Sequence, residues 1–280
     1  MYSSNAEVSD IRSIENFLCK NGYKNFDVTL ARPGEGATKL IWISYYNEDG
    51  QPHVREYALP IEPNSNYLKL TFAFNSEEAR LNGKEDISSA VNAVRLMFGV
   101  CAARRLTLHS QYDLNNPLQG PFSEVGYASS FDVQIFNRFK DPPLEEADIT
   151  KIPKEASILL EKAFSQSFPE ETFILMWLAF EAIIRRFPGE SNGKRREYFF
   201  NRELKSHLVN NEVIRLSKVR HSLFKEGRYS ELKLESDYWS LYKAMQIATL
   251  NQCAQRQKFL KGYEQDIIER MKNDPDTRGL

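Results

Sequence analysis

The chain has 280 residues, 41% of them hydrophobic and 27% charged, with a formal net charge of −1. That balance belongs to a folded protein with ample apolar mass, one large domain or two ordinary ones; it excludes low-complexity and collagen-like classes, and no global field announces a nucleic-acid or membrane partner. The longest apolar run, Phe173–Phe180, is far short of the roughly 20 residues a membrane-spanning helix needs. The start MYSSNAEVSD lacks the basic and apolar regions of a secretory leader, so a cytoplasmic protein is expected. Cys19, Cys101 and Cys253 form no CxxC pair and read as small buried hydrophobes. His53, His109, His207 and His221 show no HxxxH or HExxH spacing, so neither a metal nor another cofactor is expected.

The first half reads as mixed α and β. Ile11, Ile14, Phe17 and Leu18 mark a short amphipathic helix closed by Asn21-Gly22. Phe26–Leu30 alternates as a strand. Lys39–Tyr46 and His53–Leu59 flank the turn Asn47–Gly50 and read as a hairpin. Tyr67–Phe74 is another alternating strand. Asp86 can cap a helix from Ile87 to about Arg104. Leu106–His109 and Phe131–Phe139 are further strand candidates.

A proline- and acid-rich stretch, DPPLEEADITKIP, ends this half and reads as a linker. After it the texture is helical: Ala156–Phe164, Glu170–Phe187, Arg195–Val209, Glu212–Lys225 and a long last helix from Ser236 to about Met271. Glu170–Phe187 is apolar on nearly all sides and so central to a bundle. The fold class expected is α+β: a mixed, mostly antiparallel N-terminal domain (1–140), a linker (141–154), an all-α bundle (155–272) and a tail (273–280).

Charge is unevenly divided. Residues 1–150 carry 14 basic and 20 acidic side chains, while 151–280 carry 23 and 18. The surplus concentrates in Ser191–Arg228, with ten basic and four acidic residues. Such a patch can hold phosphate, although a charge run is more often a solvated helix face.

The informative stretch is Leu216-Ser-Lys-Val-Arg-His-Ser-Leu-Phe-Lys-Glu-Gly-Arg228, followed by a long helix with small residues at Ala244 and Ala248. An earlier apolar helix carries Leu178-Ala-Phe-Glu181-Ala-Ile. Together these resemble the HEPN superfamily, helical bundles of prokaryotic defence and toxin proteins. Their signature is an Arg, a polar residue, three further residues, then a His and often a Gly. Arg220 matches the Arg and His221 the polar position. Lys225 stands where the His is usual, and Gly227 falls one residue late. Glu181 matches the acidic residue often found on the second helix. The resemblance spans roughly 155–272, under half the chain.

The resemblance implies a metal-independent ribonuclease or its degenerate relative, paired as a homodimer so that two motifs line one cleft. Arg220 would stabilise charge on the scissile phosphate, and a His would act as general acid or base. A lysine at about 10.4 is almost fully protonated near neutrality, so Lys225 suits phosphate contact better than base catalysis. His221 lies four residues before Lys225 on one helical stripe and could supply the imidazole, or simply hydrogen-bond within the bundle. Lys218, Lys225 and Arg228 are the phosphate-binding candidates; Arg220, His221 and Glu181 are the catalytic ones.

Arg202–His207 and Arg104–His109 also fit Arg-x4-His, and such a bare pattern is expected about once by chance. Pro33–Gly36 and Pro188–Gly193 lack a Walker Lys-Ser pair, and no GxSxG elbow occurs. Trp42, Tyr45, Tyr46, Tyr57, Tyr67 and Phe72 could stack bases, but aromatics at strand spacing are more often sheet packing. Met176 and Trp177 read as core.

Three readings stand open. One is a non-catalytic or regulatory, dimerising, RNA-associated HEPN-like module, with Arg220 paired to Glu181 in the bundle and a protein partner in a larger assembly. Another is an endoribonuclease using Arg220 and His221. The third is a small-ligand protein acting through the N-terminal sheet. No membrane partner is expected.

Overall fold

The computed structural model describes residues 2–31, 39–46, 52–58, 66–104, 106, 109–111, 122–124, 146–166, 168–226 and 231–273. Among these the protein is mixed α+β and mostly helical. The predicted strand Phe131–Phe139, the turn Asn47–Gly50, Gly227 and Arg228 lie outside the described residues.

β1 (Tyr2–Ser4) leads into α1 (Val8–Lys20), where the Glu7 N–H donates to Asp10 Oδ2 at 2.8 Å. Ile14, Phe17 and Leu18 are its buried stripe, and Gly22 at φ 82° turns the chain out. β2 (Phe26–Ala31), β3 (Lys39–Tyr46), β4 (Pro52–Ala58) and β5 (Asn66–Phe72) follow. The three-stranded antiparallel sheet has the order β1-β5-β2, with Tyr2 opposite Leu68 and Phe26 opposite Phe72. β3 and β4 form the expected antiparallel pair, with Ile43 opposite Val54 and a register shift before Tyr45.

α2 (Glu77–Phe98) starts ten residues before the expected Ile87. Ser76, not Asp86, caps it by accepting from the Ala79 N–H at 3.1 Å. Asp86 instead pairs with Lys151. The helix stops at Gly99, φ 93°, and the remaining residues form a 3₁₀ turn, Val100–Ala103. Two short strands, β6 (His109–Gln111) and β7 (Phe122–Glu124), then pair antiparallel. Leu106 makes a single bridge with Tyr2.

α2 ties the sheet to the helices beyond. Arg95, 1% exposed, donates to Ala103 O at 2.6 Å, Asn92 Oδ1 at 3.1 Å, Arg104 O at 3.2 Å and Glu161 Oε2 at 2.6 Å. Its guanidinium lies 5.1 Å from the centroids of both Tyr2 and Phe164. The stretch 146–153 is packed: Ala147, Ile149 and Ile152 are buried, and Asn21 bonds both Ala147 O and the Ile149 N–H. One contiguous buried cluster runs from Tyr2 to Ile267.

The helical part comprises α3 (Lys154–Ala163), α4 (Pro169–Ile184), α5 (Asn192–Arg196), α6 (His207–Glu226), α7 (Glu231–Thr249) and α8 (Cys253–Asn273). α4 opens with Pro169, which lacks only an N–H the first turn leaves unused, and buries Phe173, Met176, Trp177, Phe180 and Ile183. α3 and α7 pack along it.

Two helices expected as single rods are broken. Arg195–Val209 divides into the end of α5, a π-helical stretch Glu197–Glu203 and the start of α6, with Lys205 at φ 56° between them. The long last helix divides at Leu250–Gln252. There Leu250 bridges Ile149, the Asn251 N–H donates to Asp148 O at 2.8 Å, and Arg186 Nη2 binds Ala248 O at 2.6 Å and Leu250 O at 3.0 Å. The freed carbonyls thus find donors from distant chain, and this stabilises a break that no Gly or Pro signals.

Candidate functional site

Glu181 stands one turn after Trp177 on α4, and the Trp177 indole N–H donates to Glu181 Oε1 at 2.9 Å. α6 brings Arg220 Nη1 to 3.5 Å from the same oxygen, with side-chain exposures of 32% for Arg220 and 18% for Glu181. The Arg220 guanidinium lies 5.6 Å from the Trp177 ring centroid. α5 supplies a second guanidinium, Arg196, at 5.5 Å from that ring.

Two cations and one carboxylate therefore share an indole. Burial pushes the Arg196 guanidinium down from its usual range; Glu181 pulls it back and Arg220 adds to the fall. Arg196 Nε and Nη1 and Arg220 Nε are buried without a hydrogen-bond acceptor among the described residues, and cation–π contact with Trp177 takes that place. The excess positive charge favours an anion at the exposed side of Arg220.

The helix that carries Arg220 is fixed by a buried ionic network. Arg215 on α6 holds Glu212 in two bonds, 2.9 and 2.8 Å, and also pairs with Asp237 on α7. Arg270 on α8 pairs with Glu212 and lies 3.8 Å from Asp237 Oδ1. Ser240 Oγ donates to Glu212 Oε1 at 2.7 Å and lies 2.9 Å from the Tyr263 hydroxyl. Burial pushes Glu212 up, but the bonds from Arg215 and Arg270 outweigh it and hold its carboxyl at about 2. At Asp237 burial wins, its carboxyl is raised, and Oδ2 is left without a partner among the described residues.

Of the residues singled out by sequence, Glu181 and Arg220 meet. Lys218, His221 and Lys225 do not join them; all three are exposed, one above another on the outer face of α6. Ile214 and Phe224, 41% and 63% exposed, lie on the same helix. Arg202 and His207 of the competing motif are exposed too, and Arg202 Nη2 lies 4.0 Å from Glu197 Oε1. Arg196 and the supporting role of Trp177 were not evident from the sequence. Trp177 is core, as expected, yet its ring edge and face organise the charges around it.

Among the described residues no three His, Cys, Asp or Glu side chains come together to hold a metal, and no helix is long and apolar enough to cross a membrane. No protein-family model, curated protein or solved structure matches the chain.

Proposed function

We propose that residues 155–272 form a HEPN-like bundle that acts as a non-catalytic or regulatory, dimerising, RNA-associated module of a prokaryotic defence or toxin-type system. The observation that carries this reading is the ion pair of Arg220 with Glu181 over Trp177. The arginine is held as a bundle element with one side open, and among the described side chains no imidazole shares its pocket. Lys218 and Lys225 offer cations to a phosphate backbone, with the His221 ring exposed between them, and Ile214 and Phe224 supply apolar area for a second copy.

A metal-independent endoribonuclease is the second reading. It is favoured by the exposure of His221 beside Arg220, since a partner subunit could bring that imidazole to the same phosphate.

Incubation of the full chain with labelled RNA in EDTA separates the two. Under the first reading the RNA is bound and left intact, and Lys225→Ala lowers the slope of log affinity against log salt by about 0.7. Under the second it is cut, and Arg220→Ala stops cutting with a stability loss of about 1 kcal/mol or less, because the pair is partly solvated. Failure to bind RNA at low salt removes both readings.

A further inference from the structure

We propose that a cleft at the end of α4, separate from the Arg220 pocket, binds a small amphipathic anion: an apolar body carrying one acidic group. The cleft has a volume of about 300 Å³ and lies where the C-terminal ends of α4 and α7 meet the chain entering α3. That size suits a fragment-sized organic ligand. Its floor is apolar and buried, built by Ile152, Ala182, Ile183 and Ala248.

The charge lining this floor is unbalanced. Lys151, Arg185 and Arg186 face one carboxylate, Glu155. Two of the three cations are engaged. Lys151 pairs with Asp86, and Arg186 spends its donors on Ala248 O, Leu250 O and Asn251 Oδ1 at the end of α7. Arg185 is exposed and has no ion pair among the described residues; Glu155 lies beyond ion-pair distance from it. The floor excludes a fully polar ligand, because nothing there would replace the hydrogen bonds such a ligand loses. A neutral ligand would leave Arg185 unused. An apolar body on Ile183 and Ala248 with its acidic group on Arg185 uses both features, and the guanidinium suits a carboxylate, sulfonate or phosphate fork. This assignment does not depend on the RNA reading.

The probe is 8-anilinonaphthalene-1-sulfonate, titrated into the full chain and followed by fluorescence. Its uncharged counterpart, N-phenyl-1-naphthylamine, is titrated in parallel. One saturable site is expected. Arg185→Glu should raise the sulfonate's dissociation constant about tenfold or more, with Arg185→Gln intermediate, and should leave the uncharged ring system within about twofold. In methyl NMR spectra the sulfonate should shift Ile152 and Ile183 and spare Ile214 and Ile268. Absence of saturable binding, equal affinity in Arg185→Glu, or shifts at Ile214 and Ile268 alone would each overturn the assignment.

Discussion

Glu212→Gln lowers the stability of the protein by about 3–5 kcal/mol, whereas Asp237→Asn, in the same network, costs about 1 kcal/mol or less. Both carboxylates are almost fully buried, so exposure does not separate them. What separates them is partnership. Glu212 accepts from Arg215 twice, from Arg270 and from Ser240. Neutralising it leaves two buried guanidiniums facing a single acid. Asp237 uses one oxygen only, for which asparagine keeps an acceptor, and burial, which raises its carboxyl, already disfavours the charge that asparagine removes.

The pH dependence has opposite signs at the two sites. Glu212, held at about 2, contributes stability that is complete above its ordinary value near 4.5 and is lost as pH falls toward 2. That span is worth about 3 kcal/mol. Asp237, raised in the fold, contributes in the other sense: its share is present at low pH and is lost as pH rises through its folded value. Urea unfolding between pH 2.5 and 7 should therefore show an acid-side loss that Glu212→Gln removes and Asp237→Asn preserves. Equal costs for the two substitutions at pH 7 would refute this division of roles.

Arg95→Met is the second large effect, a loss of about 3–5 kcal/mol by chemical denaturation. The methionine refills much of the volume between Tyr2 and Phe164. It cannot replace the donors to Ala103 O and Arg104 O, which fix the 3₁₀ turn after α2. Glu161→Gln should cost about 1 kcal/mol, because that side chain is 29% exposed and water can solvate it. A cost for Glu161→Gln matching that of Arg95→Met would place the stabilisation in the ion pair rather than in the backbone carbonyls.

Periodicity made α1, α4 and the β3–β4 pair legible, because each is decided by local pattern and turn chemistry. Tertiary partners decided the rest. The helix is expected to start only after Asp86, yet the preceding run EEARLNGKED forms the first half of α2 from the Ser76 cap onward. The sequence around Leu250 is continuous helix by propensity; Asp148, Ile149 and the arginines at 186 and 256 create the break. At the site, Glu181 and Arg220 could be paired in advance because helix order and a short motif marked them. Arg196 could not, since Lys194-Arg195-Arg196 reads as an ordinary solvated run. Which of those cations turns inward depends on the phase of α5, and the π-helical stretch that follows it has no signature in EYFFNRE.

The central place of α2 also shapes how the chain is made. Tyr242 donates to the carbonyls of Arg95 and Leu96, and lies 147 residues later than Arg95. At ribosomal speeds α2 waits roughly 7–30 s for that partner to be synthesised. Until then the apolar side chains of Val91, Val94 and Met97, buried in the finished protein, lack part of their cover. The core around α2 is thereby completed only once α7 has been made.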